Sequence, residues 1–320
     1  MENTYFVTHA PHLHKNISTP KIIWSVFAAL VPSGIAGIII FGLRSLYVII
    51  VSTLSAMAFE VLIQKLRGQE ISLKDGSSAL TGLLLAYNLP GNIPLWIPLA
   101  GSFFAIAIVK QAFGGLGRNI FNPALAARAF LLVSWPKYMT SFVKPFSPDA
   151  VTSATPLTLL KDGKISAFMD TGLTYWDMFL GKRGGCIGEV CILALLIGAI
   201  FLLWKGYISW HIPFTFIASA LLFSWVFDRN GLFKGDLLFS LFSGGLVLGA
   251  FFMATDYVTS PLTARGKLVF GVGCGVLTFV IRRWGGYPEG VSFSILIMNS
   301  CTALLERYLR PRAYGTKLKV

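Results

Sequence analysis

Ten stretches of the chain are almost wholly apolar and are separated by shorter polar links, and this pattern limits the fold more than any single motif does. They run over about 22–43, 46–63, 78–90, 94–112, 120–135, 188–204, 208–227, 237–255, 266–281 and 291–306. A helix needs about 20 apolar residues to cross the roughly 30 Å hydrocarbon core of a bilayer. Because no water reaches that core, each spanning segment must satisfy its own backbone hydrogen bonds, which selects helices. Only 13% of the 320 residues are charged, against about 25% in soluble domains. A compact water-soluble enzyme, a disordered chain, a coiled coil and a collagen-like chain are all excluded. The expected fold is an all-α polytopic membrane protein with about ten transmembrane helices.

The net charge of +13 does not point to nucleic acid, because the basic residues sit in the links between apolar runs, as loops facing anionic lipid require. With ten spans and the N-terminus inside, fifteen of the 27 Lys and Arg fall inside. Five fall in the short outside links, including Arg282 and Arg283, six lie in the long link 136–187, and Arg128 lies within a span. Long links weigh little in this rule, so both termini are expected in the cytoplasm and the long link outside. Residues 1–21 lack the apolar region of a cleavable signal, which favours a retained N-terminus. His9, His12 and His14 lie there and are not read as a metal site. Cys186, Cys191, Cys274 and Cys301 form no CxxC pair; Cys186 and Cys191 read as small buried residues.

The long link leaves five apolar stretches on either side. The expected organisation is a cytoplasmic segment 1–21, a first half 22–135, an extracytoplasmic loop 136–187, a second half 188–306 and a cytoplasmic tail 307–320. An odd number of spans per half makes any structural repeat an inverted one, an architecture of membrane transport. At a constant offset of 171, Pro90 matches Pro261 and Phe113-Gly114-Gly115 matches Trp284-Gly285-Gly286. The third stretch of each half is also followed by irregular sequence, Asn88–Asn92 and Thr255–Pro261. Interrupted helices at matching positions point to a polar site within the membrane.

Ionisable residues in or beside apolar runs are costly and are functional candidates by default. They are Glu60, Lys110, Arg128, Glu189 and Asp256. For Glu60 and Glu189, a helix-end carboxylate reaching water is an equal alternative. Asp256 stands among the hydroxyls of Thr255, Thr259 and Ser260, and oxygen-rich pockets suit hard cations; Asp256 and Glu60 are thus the candidate positions for a transported ion. In FGGLGRNIFNPALAARA, Asn122 before Pro123 reads as a helix cap, and Arg118 with the preceding glycines could face an electron-rich group. A tight cytoplasmic turn accounts for the same residues. Within the long loop Thr155 precedes Pro156, which favours extended backbone and would leave its hydroxyl accessible to a modifying enzyme.

Several long motifs occur in one order: APHLHKNISTPKIIW, DGSSALTGLLLAYNLP, IVKQAFGGLGRNIFNPALAARAF, DAVTSATPL and ATDYVTSP. Over nearly its whole length the chain thereby resembles the family shared by the D subunits of Rnf-type ion-translocating complexes and the B subunits of the sodium-pumping NADH:quinone reductase. Its length sits with the Rnf-type members. In that family a flavin mononucleotide (FMN) is joined through its phosphate to a threonine. The matching stretch here, Asp149-Ala150-Val151-Thr152-Ser153-Ala154-Thr155, implies attachment at Thr155, with Asp149, Thr152 and Ser153 around it. The resemblance also implies riboflavin on the cytoplasmic side, where the stretch from Gly114 to Asn122, with Arg118, is the place to look.

Implied partners are the other subunits of the complex, among them a second covalent-flavin subunit and iron–sulfur subunits. No dinucleotide or cluster motif occurs in this chain, so ferredoxin and NAD are expected to bind those partners. The implied activity is redox-driven ion translocation in a prokaryotic cell membrane, with electrons passing between ferredoxin and NAD through this flavin. A ten-span passive pore and a scaffold without redox function are the competing readings from the residues alone.

Overall fold

The computed structural model describes residues 18–146, 152–153, 155–161, 174–228, 231–287 and 289–310. Asp149 and the three N-terminal histidines lie outside them. Each of the ten apolar stretches contains helix. The first half holds α1 (Thr19–Phe41), α2 (Leu43–Leu66), α3 (Ser77–Tyr87), α4 (Trp96–Gln111) and α5 (Pro123–Ser134). In the link are α6 (Pro136–Met139), α7 (Pro156–Lys161) and α8 (Tyr175–Leu180). The second half holds α9 (Ile192–Trp204), α10 (His211–Val226), α11 (Leu237–Phe242), α12 (Leu246–Leu248), α13 (Ala264–Trp284) and α14 (Val291–Tyr308). Three of these, α1, α2 and α13, are long and apolar enough to cross a membrane by themselves. The chain is a mainly helical membrane protein.

Local chemistry sets the helix ends. Asn122 caps α5 as its sequence suggests, its Oδ1 accepting from Ala124 N at 3.1 Å and Leu125 N at 3.3 Å, with Pro123 at the first helical position. Thr263 caps α13 by accepting from Gly266 N, and Asp236 caps α11 by accepting from Phe239 N. The turn between α1 and α2 needs only Gly42. Non-helical backbone follows α3 from Asn88 and follows Met253 up to α13, at the two places the sequence marks.

Two features depart from the sequence reading. The stretch 237–255 is not one helix: it breaks at Ser243–Gly245, where Gly244 takes a φ of +65°. Helix α4 widens into a π-helix over Phe104–Gln111, and α12 continues as one over Gly249–Met253, a geometry often found at functional sites. The glycine match at offset 171 also fails in conformation, since Gly114 and Gly115 have φ of +108° and +92° whereas Gly285 has −69°.

Within the first half α2 packs on α3 and α4; within the second, α10 packs on α13 and α13 on α14. Contact between α10 and α13 is close because α13 carries glycines there: a Cβ on Gly275 would lie 1.9 Å from Ser219 Oγ. Small residues of this kind let backbones approach when the apolar solvent supplies little drive for association. The halves meet through α1 on α9 and α5 on α14. The backbone beyond α3 is satisfied by the segment ahead of α9, with Gly188 N donating to Tyr87 O and Ile187 N to Leu89 O, both at 3.0 Å.

Candidate functional site

Thr155 occupies the N-terminus of α7, directly after strand Thr152–Ser153, whose backbone pairs antiparallel with Phe142–Val143. Its Oγ1 accepts from Thr158 N at 3.2 Å and lies 2.7 Å from Thr158 Oγ1. The side chain is 4% exposed, which corrects the expected accessibility: the extended loop folds back and buries the hydroxyl in its own cap. Thr152 and Ser153 are placed by their backbone only.

Two residues of α7, Leu157 and Lys161, line a cleft with about 650 Å³ of empty space, part of it open to solvent. Its other walls are Phe227, Phe239 and Phe279, the hydroxyls of Ser224, Ser240 and Thr278, and the charges of Asp228, Arg282 and Arg283. Lys161 Nζ donates to the carbonyls of Gly285, at 2.7 Å, and Gly286, tying α7 to the end of α13. Arg282 Nη1 donates to Ser240 O at 3.2 Å and Nη2 to Ser243 O at 3.0 Å, while its buried Nε has no partner among the described residues. Arg282 and Arg283, counted above as loop charges, are therefore residues of this cleft.

Behind the cleft, the break at Ser243–Gly245 is held by two more buried ionic groups. Arg183 is 2% exposed and donates to Glu189 O at 3.0 Å and Gly244 O at 3.3 Å. Burial lowers its pKa from the usual value, opposed by the Glu189 carboxylate. Glu189 Oε1 accepts from Cys186 N at 3.0 Å, and Oε2 has no partner among the described residues. Glu189 is thus not a helix-end carboxylate reaching water.

A second cavity, with about 810 Å³ of empty space, lies where α1, α3, the start of α5 and the segment after Met253 meet. Ile22, Val26, Leu84, Leu116, Phe251 and Phe252 give it apolar walls, and Ser77, Lys110, Asn119, Asn122, Thr255 and Asp256 give it polar groups. Lys110 Nζ donates to Glu60 Oε1 and to Ser77 Oγ, both at 2.6 Å, and Gln111 Nε2 also donates to Glu60 Oε1 at 3.0 Å. Lys110 and Glu60 are 2% and 1% exposed, so Glu60 is a paired interior carboxylate. Asp256 accepts from Thr259 Oγ1 at 3.1 Å; Thr255 instead turns back to Phe251 O, so the expected ring of hydroxyls reduces to one. Asn122 reaches the cavity wall with Nδ2 bonded to Met253 O. Arg118 does not reach it; its side chain is exposed and lies over Gly114.

Arg128 joins the halves. Its guanidinium donates to Asn88 Oδ1 at 3.3 Å in the first half, to Ser292 Oγ at 2.6 Å and to Glu289 in the second, and contacts Cys186 Sγ at 3.8 Å in the link. Cys186 Sγ lies within 4.8 Å of carboxylate oxygens of Glu189 and Glu289, but Arg128 already neutralises Glu289 there. Sequence reasoning singled out Arg128 and missed Glu289, Arg183 and Gln111. A basic pair at the end of an apolar run was the available signal for Arg282 and Arg283.

Comparison with known proteins bears on the whole chain. The NQR2, RnfD, RnfE family profile matches residues 6–315. The chain is 48% identical over 316 residues to the D subunit of the Na⁺-translocating ferredoxin:NAD⁺ oxidoreductase complex of Acetobacterium woodii, covering 98% of this chain and 96% of that one. It is 45% identical over 323 residues to the proton-translocating counterpart of Clostridium ljungdahlii, covering 99% and 98%. To the D subunit of the ion-translocating oxidoreductase complex of Escherichia coli it is 36% identical over 346 residues, covering 97% and 98%.

Proposed function

The chain belongs to the NQR2, RnfD, RnfE family, and we propose that it carries electrons on an FMN esterified to Thr155, seated in the cleft that α7 lines. It is one subunit of a multi-subunit, redox-driven ion-translocating ferredoxin:NAD oxidoreductase. These relatives set aside the passive-pore reading. The observation that carries the flavin proposal is the position of Thr155: the motif threonine caps the helix whose next turns face three phenylalanines and two arginines. Aromatic faces suit an isoalloxazine ring and the arginines suit its negative charge. When bound, the flavin supplies one- or two-electron chemistry; the chain positions it and sets its electrostatics. Anchoring by a covalent bond prevents loss of a cofactor that faces outward. Fluorescence of the denatured subunit in a gel, present in the native chain and absent from Thr155→Ala, is the test; equal fluorescence in both would overturn it.

The second cavity we read as the cytoplasmic flavin position and the ion site together. Asn119, Asn122 and Leu116, from the stretch the family resemblance marks for riboflavin, share it with Asp256. An electron added to a flavin there would act at short range on Asp256 and Lys110, which gives redox state a direct electrostatic hold on a cation site. The relatives from Acetobacterium woodii and Clostridium ljungdahlii are named for different ions, sodium and protons, at nearly equal identity, so overall similarity does not choose between them.

An inverted repeat of two five-span halves is supported by contacts at the offset of 171. Arg128 in α5 bonds Asn88, and Asn299 in α14, with its amide oriented to suit its neighbours, donates to Thr259 O at 3.3 Å. Each of these side chains also reaches the start of the opposite helix, Arg128 to Ser292 and Asn299 to Asn122 N at 3.1 Å. The orientation with both termini in the cytoplasm and the Thr155 cleft outside gains support as well. Arg282, one of the charges that counted against it, is bound inside a site and carries little topological weight.

A further inference from the structure

The charges around the outer cleft do not balance. Arg183 is buried and Arg282 half-buried, and neither makes an ion pair among the described residues; each is held by backbone carbonyls. Among the described residues Glu189 is the carboxylate that acts on both. A Cβ on Gly245 would lie 2.8 Å from Glu189 Oε2, and a Cβ on the adjacent Gly244 would lie 3.2 Å from Arg282 Nη2, so both groups lie against the glycine pair. Arg283 adds a third guanidinium on the cleft lining, where Lys161 and Asp228 are of opposite sign and leave the balance unchanged. Among the described residues, three arginines thus face one glutamate, and the phosphodiester on Thr155 would supply one further negative charge. One positive charge remains. Arg282, half-buried on the cleft wall and without a carboxylate partner among the described residues, is placed to take an anion beyond the phosphate.

We propose that Arg282 holds the negative charge that arrives on the isoalloxazine ring when the flavin is reduced, so that the Arg183–Glu189–Arg282 group sets the flavin's potential. This rests on the reading of the cleft as the Thr155 flavin site. One electron leaves the preceding redox centre of the complex, oxidising it by one. Added to a neutral ring without a proton, it makes the ring an anion and balances the surplus cation. Arg282 suits this role because its two Nη groups are fixed by Ser240 O and Ser243 O at the break between α11 and α12. The guanidinium needs no rearrangement when the charge appears, which is the condition for effective electrostatic stabilisation.

The test is a spectroelectrochemical titration of the purified complex, produced in a host with the attaching enzyme. The flavin in question is identified as the one missing from Thr155→Ala. Arg282→Gln should lower its potential, with the preference for the reduced form falling about tenfold, equivalent to roughly 59 mV for a one-electron step. Arg282→Lys should restore most of the difference. Glu189→Gln, which keeps the Oε1 acceptor for Cys186 N, should shift the potential upward. A loosened fold would not give opposite signs. An unchanged potential with flavin still attached, or shifts of one sign in Arg282→Gln and Glu189→Gln, would overturn the role of Arg282. So would a loss of flavin attachment in Arg282→Gln with the remaining flavin at its native potential, which would assign the arginine to the phosphate. Absence of any flavin on Thr155 in the native complex would overturn the cleft reading beneath it.

Discussion

Replacing Lys110 should damage the protein far more than replacing Lys110 and Glu60 together. The ammonium is buried and donates to Glu60 Oε1 and Ser77 Oγ at 2.6 Å, and Glu60 also takes Gln111 Nε2. Lys110→Met leaves a carboxylate almost without solvent and with one neutral donor in place of a cation. Breaking a buried pair on one side costs about 3–5 kcal/mol, at least a hundredfold in the folding equilibrium at 1.36 kcal/mol per factor of ten. Glu60→Met, which strands the ammonium, should cost a similar amount. In the double variant no charge is left behind, and pairs replaced by apolar residues of like size are often neutral, so most of the loss should return. Unfolding of the purified complex by SDS titration gives all four corners of the double-mutant cycle. Single losses below about 1 kcal/mol that add in the double variant would refute the reasoning, since that is how exposed pairs behave.

Arg128→Gln should cost about 3–5 kcal/mol for the same reason, by stranding Glu289, and Glu289→Gln added to it should recover much of that in the same titration. Gly275→Leu should prevent stable packing of α10 on α13, since even a Cβ would meet Ser219 Oγ at 1.9 Å; loss of the assembled complex on native gels checks this. Asp256→Asn should lower the ions moved per electron in proteoliposomes while flavin content stays native. An unchanged ratio would remove Asp256 from the ion site.

What the sequence made legible was local or periodic. Apolar runs located the helices, and Asn122-Pro123 announced the start of α5 because a cap and its helix are neighbours in the chain. What it hid depends on distant partners. Lys110 counted as a cytoplasmic charge although Glu60, 50 residues earlier, takes it inside. Arg282 counted as a loop charge although the carbonyls that hold it lie 42 and 39 residues before it. The break at Ser243–Gly245 lies in an apolar run, and the arginines that bind its carbonyls come from distant parts of the chain. The motif singles out Thr155, whereas its burial goes with a strand pairing and a cap that the loop's composition does not reveal.

Mass spectrometry of the peptide containing residues 152–161, taken from the complex made in a host with the flavin-attaching enzyme, tests the covalent-flavin role most directly. An FMN adduct is expected on that peptide, located at Thr155 by fragmentation and missing from Thr155→Ala. An unmodified peptide in that competent host, with the complex still transferring electrons, would contradict it and leave the subunit a scaffold for redox centres carried elsewhere.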